Sequence, residues 1–154
     1  MPTFTNGIQI TGGVTITGSY IIDVTPDIND TDWTALNSAT ITEPSTGTFS
    51  FTRSHASNAN VAYYEFTSLT SGESYQLDFE SRRSQNSSTY KIILEDSLNG
   101  TSFGHVDSGH GPGSFLDTSL YATLGNSATS LFLRVEINDQ NAACEIRNIT
   151  LYQT

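Results

Sequence analysis

The sequence predicts an all-β fold, either a two-layer sandwich or a barrel, and three observations lead to this prediction. Short runs in which apolar and polar residues alternate recur along the 154-residue chain, as expected of half-buried strands. Turn-forming residues separate these runs. No helix-period pattern is longer than one turn, and Thr, Tyr, Phe, Val and Ile outnumber good helix formers. A chain of this length can bury the core of one two-layer domain.

The alternating runs define the predicted strands in chain order. Residues 7–18 contain two short runs around Gly12 and Gly13, a pattern typical of a tight hairpin or of a strand with a bulge. The run at 20–24 ends before Pro26, because proline cannot continue a central strand. Turn signals such as Gly47, Gly72 and Gly125 separate the remaining runs. These lie at 39–42, 48–52, 61–67, 74–80, 89–95, 102–106, 119–124, 130–137 and 143–152.

The phase of the alternation predicts which side chains form the core, because successive side chains of a strand point to opposite faces. In the last strand Ile146 is out of phase with Leu151, which predicts a β-bulge at Arg147–Asn148. Trp33 and the lone Cys144 are expected to be buried as well. The strand residues predicted to point inward are Ala62, Tyr64, Phe66, Tyr75, Leu77, Phe79, Tyr90, Ile92, Leu94, Leu131, Leu133, Val135 and Ile137.

Charge and motif content exclude several functional classes. The net charge is −10 and the sequence pI is about 4.3, so nucleic acid and anionic membrane are poor partners. A single cysteine cannot form an internal disulfide. The residues after Met1 do not resemble a secretory signal, which predicts synthesis in the cytoplasm. The sequence contains none of the common hydrolase, metalloprotease or phosphate-loop motifs, so we expect no enzymatic activity and no required cofactor.

Two groups of side chains could bind a metal ion. His105, Asp107 and His110 lie in one Gly-rich stretch and offer imidazole and carboxylate ligands for a transition metal. The alternative is a solvated polar loop. An acidic group around one turn could bind a structural calcium ion through oxygen ligands, or could simply form the turn. Its members are Asp23, Asp27, Asp30 and Asp32.

The same alternation predicts aromatic side chains on an outer face. If Tyr64 and Leu133 point inward, Tyr63 and Phe132 point outward. Aromatic rings contact the C–H faces of sugars, and neighbouring polar groups bond their hydroxyls, so this face could bind a glycan. The alternative is that these side chains contact a neighbouring subunit or the N-terminal segment. The polar residues predicted to share the face are Gln76, Asp78, Lys91 and Arg134.

Residues 60–152 resemble the jelly-roll carbohydrate-binding modules of the family 4 and 9 type. The resemblance begins with the pair Tyr63-Tyr64 and continues with Leu69-Thr70-Ser71-Gly72-Glu73-Ser74-Tyr75-Gln76-Leu77-Asp78-Phe79. It ends with Ser130-Leu131-Phe132-Leu133-Arg134-Val135 and Ile146-Arg147-Asn148-Ile149-Thr150-Leu151. It implies a jelly-roll β-sandwich of two antiparallel sheets. It also implies a glycan site, which we assign to Tyr63, Gln76, Asp78, Phe132 and Arg134.

The first residues resemble a different group of proteins. Gly7-Ile8-Gln9-Ile10-Thr11-Gly12-Gly13-Val14-Thr15-Ile16-Thr17-Gly18 is similar to the Ile-Thr-Gly-rich strands that begin many fibre and capsid-decoration proteins of tailed phages. We therefore divide the chain into an N-terminal β-hairpin arm, 1–18, and a jelly-roll domain, 19–154. The arm would dock through Phe4, Ile8, Ile10, Val14 and Ile16.

These observations lead to one functional hypothesis and one alternative. The hypothesis is a non-enzymatic virion protein, a capsid decoration (cement) protein or a short fibre. It would be a homotrimer docked on other virion proteins such as the major capsid protein. The alternative is a carbohydrate-binding module that recognises a glycan, for example one on a cell surface, on its exposed aromatic and polar face.

Overall fold

The computed structural model describes residues 21–54, 58–83, 89–107, 113–139 and 142–154, and these ranges form an all-β structure. The predicted arm, 1–18, and its docking residues Phe4, Ile8, Ile10, Val14 and Ile16 lie outside the described residues. One turn of 3-10 helix, Asp30–Asp32, is the only helical element in the described ranges. The strands are β1 (Ile22–Asp23), β2 (Thr34–Ala35), β3 (Thr40–Ser45), β4 (Thr48–Thr52), β5 (Asn60–Phe66), β6 (Ser74–Arg83), β7 (Tyr90–Glu95), β8 (Ser102–Asp107), β9 (Leu116–Thr123), β10 (Leu131–Ile137) and β11 (Ala143–Gln153).

The strands form two antiparallel sheets, which confirms the predicted β-sandwich. The first sheet has the order β3-β4-β11-β6-β9, with β1 also paired to β11. The second has the order β2-β5-β10-β7-β8. Each sheet turns one face toward the other sheet and one face outward, as in other two-layer β folds.

The order of strand pairing is that of a jelly roll. Strand β7 pairs with β8, β6 with β9, β5 with β10 and β4 with β11. The second half of the chain therefore runs back along the first half as a long two-stranded ribbon, and the ribbon folds over so that its successive pairs alternate between the sheets. This arrangement of eight strands in two sheets is the double Greek key of jelly rolls.

The predicted core residues lie between the sheets, so the period-two prediction is confirmed. All thirteen strand residues predicted to point inward belong to one buried cluster, together with Trp33 and Cys144. The Trp33 ring lies 4.6 Å from the ring of Phe51 and 5.5 Å from that of Tyr64, measured between centroids. It therefore joins the two sheets through aromatic packing.

Several element boundaries differ from the prediction for physical reasons. Strand β3 continues through Pro44 because it is an edge strand, where a missing N–H breaks no central ladder. Strand β9 begins at Leu116, earlier than predicted, because it pairs with the extended end of β6. The predicted bulge in β11 is confirmed by a register shift between Arg147 and Thr150, where Asn148 has a φ of 53°. In the described ranges, no helix is long and apolar enough to cross a membrane.

Candidate functional site

The outer face of the second sheet combines aromatic and charged side chains. Arg134 on β10 lies opposite Tyr63 on β5 and Ile93 on β7. Phe132 and Glu136, two residues to either side of Arg134, point the same way because side chains alternate along a strand. We call this surface the Arg134 face. It consists of the outward side chains of β5, β7 and β10, namely Tyr63, Glu65, Phe132, Arg134, Glu136, Lys91, Ile93 and Glu95, with Asn60 at its margin.

Tyr63 and Phe132 form an aromatic pair on this face. Their ring centroids are 5.8 Å apart and the rings are tilted by 44°. Both side chains are half-buried, so part of each ring remains open to a ligand. Two adjacent rings of this kind provide apolar surface for the C–H groups of a sugar, while the Tyr63 hydroxyl can take part in a hydrogen bond.

Arg134 is held in a fixed orientation at the centre of the face. Its Nε donates to Glu95 Oε1 at 2.7 Å, and a second guanidinium nitrogen donates to Glu95 Oε2 at 3.3 Å. Its Nη1 donates to Asn60 Oδ1 at 2.6 Å and also to Glu136. Two parallel hydrogen bonds from one guanidinium to one carboxylate, as here between Arg134 and Glu95, are the strongest hydrogen-bonded arrangement available to arginine. The side chain therefore presents a rigid surface beside the aromatic pair.

Arg134 and Glu95 are charged, and they are unusually buried for side chains on an outer face. Arg134 is only 8% exposed and Glu95 only 1%. Burial by itself disfavours the charged guanidinium, but hydrogen bonds to Glu95 and Glu136 outweigh it and raise the pKa of Arg134. The Glu95 Oε1 atom also accepts a hydrogen bond from the backbone N–H of Asn99. Glu95 thus anchors Arg134, whereas Glu136 is partly exposed and can contact a ligand.

The margin of the Arg134 face contains two of the three residues proposed for a transition metal. His105 Nε2 lies 3.3 Å from Asp107 Oδ2, and Lys91 Nζ lies 3.7 Å from Asp107 Oδ1. The third, His110, lies outside the described residues. Where the structure describes the chain, no three His, Cys, Asp or Glu side chains converge in a way that could hold an ion. His105 and Asp107 form a surface contact near Lys91.

The acidic residues proposed for calcium have local structural roles. Asp23 accepts a hydrogen bond from the Thr25 backbone N–H at 2.9 Å. Asp32 accepts one from the Asn29 N–H at 2.9 Å and closes a capping box around the 3-10 helix. Together with Asp27 and Asp30 they form no ligand set among the residues that the structure describes. The turn-forming alternative accounts for Asp23 and Asp32.

The prediction that Gln76 and Asp78 share a face with Tyr63, Phe132 and Arg134 is wrong. Both lie on β6, which belongs to the first sheet, so they point outward on the opposite side of the sandwich. The Gln76 amide donates to both carboxylate oxygens of Asp78, at 2.9 and 3.1 Å. Alternation assigned these side chains correctly to an outer face, but it carries no information about which sheet a strand joins.

The sequence analysis also missed five residues of the face, namely Asn60, Glu65, Ile93, Glu95 and Glu136. Glu136 is in phase with Phe132 and Arg134 on the same strand, so its outward direction could have been inferred from alternation. Glu95 and Asn60 contact Arg134 from 39 and 74 residues away in sequence. No local signal indicates such contacts, because they depend on the pairing of β10 with both β5 and β7.

Comparison with known proteins shows similarity in structure without a match in sequence. No protein-family model and no curated protein matches this sequence. The CBM22-1–GH10 modules of Clostridium thermocellum endo-1,4-beta-D-xylanase 10B, solved with xylohexaose, are similar with a TM-score of 0.63 at 16% identity. That similarity covers 86% of this chain and 28% of the xylanase chain. This chain thus spans between a quarter and a third of that structure.

Two further structures extend the comparison. A CBM4 module has a TM-score of 0.58 at 13% identity, over 85% of this chain and 93% of the module. The enzymatically active domain of tailspike protein 4 from bacteriophage CBA120 has a TM-score of 0.54 at 14% identity, over 82% of this chain and 20% of that one. At such identities a structural likeness shows the fold alone. The chain therefore has a β-sandwich fold like that of CBM22 and CBM4 modules.

Proposed function

We propose that this protein is a non-catalytic carbohydrate-binding module that binds a glycan on the Arg134 face. The observation that carries the proposal is the aromatic pair Tyr63–Phe132 beside an arginine already fixed by hydrogen bonds. The similar modules of the xylanase, solved with xylohexaose, support this class of ligand. The resemblance of residues 60–152 to family 4 and 9 modules supports it as well.

The chemistry of the face favours a neutral oligosaccharide. The rings of Tyr63 and Phe132 would contact the C–H faces of successive sugar units. Glu136 and the side-chain carbonyl of Asn60 would accept hydrogen bonds from sugar hydroxyls. Arg134 would donate hydrogen bonds to sugar oxygens. An anionic glycan is disfavoured because the three carboxylates of the face outnumber its two cations, Lys91 and Arg134. The chain also carries a net charge of −10.

Glu95 would act only by positioning Arg134, since its carboxylate is almost completely buried. A site whose polar groups are oriented before the ligand arrives loses less conformational entropy on binding. We expect dissociation constants between roughly 1 mM and 1 μM, which correspond to about −4 to −8 kcal/mol.

Substitution of Tyr63 tests the proposal. Calorimetric titration with xylohexaose, cellohexaose and mannohexaose should identify a ligand, and Tyr63→Ala should weaken its binding on this face at least tenfold, or about 1.4 kcal/mol. Tyr63→Phe is the matched control, because it keeps the ring and removes only the hydroxyl, and should bind within a few-fold of the natural chain. Equal binding by Tyr63→Ala would contradict the assignment of the site.

A second candidate function places the same module on a phage particle. The similarity to the tailspike of bacteriophage CBA120 and the Ile-Thr-Gly-rich residues 1–18 favour it. The protein would form a homotrimer, made in the host cytoplasm and docked through the arm to virion proteins such as the major capsid protein. Light scattering coupled to size exclusion tests this candidate. A stable trimer that is lost on deletion of residues 1–18 would support it, and a monomer would contradict the trimer.

A further inference from the structure

The first sheet carries an exposed aromatic row on its own outer face. Tyr121 on β9 lies opposite Gln76 on β6, and Gln76 lies opposite Tyr152 on β11. The three residues thus form one line across three adjacent strands. Tyr121 is 62% exposed, and Tyr152 is half-buried.

The spacing of this row suits an extended ligand. Neighbouring strands lie about 4.8 Å apart, so the backbones that carry Tyr121 and Tyr152 are separated by roughly 10 Å, two strand spacings. Gln76 occupies the position between them. Two rings at this separation can contact different units of one oligosaccharide, while the amide between them reaches a hydroxyl.

A polar row runs beside the aromatic one. Asp78 lies between Ser119 on β9 and Thr150 on β11. The hydrogen bonds from Gln76 to Asp78 fix the side-chain amide, and they leave its carbonyl oxygen to accept a bond from a ligand. The two rows contain hydroxyl, amide and carboxylate groups and no cation, and Asp23 lies opposite Tyr152 at the margin. Such a surface suits a neutral ligand rich in hydroxyl donors and disfavours an anionic one.

We infer that Tyr121, Tyr152, Gln76 and Asp78 form a second binding site for a neutral glycan, which we call the Tyr121 face. The inference rests on the proposed function for its class of ligand, but it uses none of the residues of the Arg134 face. The two faces belong to different sheets and point in opposite directions. One molecule could therefore hold two glycan chains at once, and binding to a polysaccharide would gain from this bivalency.

A cycle of variants tests the second site separately from the first. Calorimetric titration with the same neutral hexaoses should give two ligands per chain for the natural protein. Tyr121→Ala and Tyr63→Ala should each give one ligand, and the double variant should give none. Tyr121→Phe is the matched control and should keep both. Because Tyr121 is exposed, the unfolding midpoint of Tyr121→Ala should equal that of the natural chain, so loss of folding cannot explain lost binding.

A second readout addresses bivalency directly. The natural protein should raise the turbidity or viscosity of hydroxyethyl cellulose or arabinoxylan solutions, whichever backbone it binds, because it links chains. Each single alanine variant should lose this effect. If Tyr121→Ala keeps both the stoichiometry and the linking activity, the second site is wrong and the proposed function stands. If Tyr63→Ala keeps binding and Tyr121→Ala abolishes it, the Arg134 assignment fails and the Tyr121 face stands.

Two further outcomes would overturn the inference. If the natural protein binds none of the neutral glycans, both sites are wrong. If Tyr121→Ala turns a dimer into a monomer by light scattering and leaves glycan binding unchanged, the Tyr121 face is a contact between two copies of this chain.

Discussion

At the scale of single residues, the ion pair of Arg134 and Glu95 shows how a charged group is kept on a partly buried surface. Both side chains are withdrawn from water, and the cost of removing two charges from water offsets much of their attraction. A buried pair of this kind contributes orientation more than stability. Its main effect here is to fix Arg134 beside the aromatic pair.

Removing one partner of the pair should be costly. Arg134→Met leaves the Glu95 carboxylate buried without its main counter-charge, and we expect the free energy of unfolding to fall by roughly 3–5 kcal/mol in urea denaturation. The double variant Arg134→Met with Glu95→Leu should recover much of that loss, because no uncompensated charge remains. It should still bind glycan more weakly than the natural chain. A single variant as stable as the natural chain would show that the pair is not desolvated in solution.

At the scale of elements, the bulge in β11 shows how one residue redirects a strand. Asn148 takes a positive φ that asparagine tolerates better than most residues. Its side chain donates to Glu80, which also accepts two hydrogen bonds from Arg147, at 2.9 and 2.6 Å. Hydrogen bonds from Arg147 and Asn148 lower the pKa of Glu80. The bulge thus changes the phase of β11 between Ile146 and Leu151 while its polar groups stay paired.

Substitution of Asn148 should separate backbone conformation from hydrogen bonding. Asn148→Val places a β-branched residue at positive φ and should destabilise the domain by about 1–2 kcal/mol through backbone strain, in addition to the lost bond to Glu80. Asn148→Gly loses that bond and some stability through the greater freedom of glycine in the unfolded chain, but it takes a positive φ without strain and should be more stable than the valine variant. Thermal unfolding followed by circular dichroism measures the difference. Equal midpoints for the two variants would mean that φ at this position is not constrained.

At the scale of the whole molecule, most strand pairs join distant parts of the chain. Strand β11 pairs with both β4 and β6 in the middle of the first sheet, so the end of the described chain completes a sheet begun near its start. The two sheets share one core, in which Trp33 and Cys144 are both buried. A structure connected in this way is expected to unfold as one cooperative unit.

Cys144 provides a direct test of that cooperativity. Its side chain is fully buried, and burial raises the pKa of the thiol, so a disulfide reagent at pH 8 should not react in native buffer. Along a urea gradient, the labelling of Cys144 should show the same midpoint as the fluorescence of Trp33, the only tryptophan of the chain. If Cys144 is labelled at urea concentrations well below the fluorescence midpoint, β11 opens separately from the rest of the sandwich.

From the sequence alone, period-two alternation determined which side chains of each strand point inward and which point outward. It predicted the inward side chains such as Tyr64, Leu77 and Leu133, the outward direction of Tyr63 and Phe132, and the bulge before Leu151. These properties follow from backbone geometry within a few residues. Composition likewise indicated an all-β chain without recourse to any tertiary contact.

Only the tertiary structure decided which outward side chains meet. Gln76 and Tyr63 have the same local pattern, yet they lie on opposite sides of the sandwich because β6 and β5 join different sheets. The pairing of Arg134 with Glu95, and of Gln76 with Tyr121, likewise depends on strand order. The physical reason is that alternation is a property of one strand, whereas the neighbours of a strand are selected by contacts between segments far apart in the chain. The pattern of a single strand does not show to which of the two outer faces its outward side chains belong. Only the contacts between strands decide this.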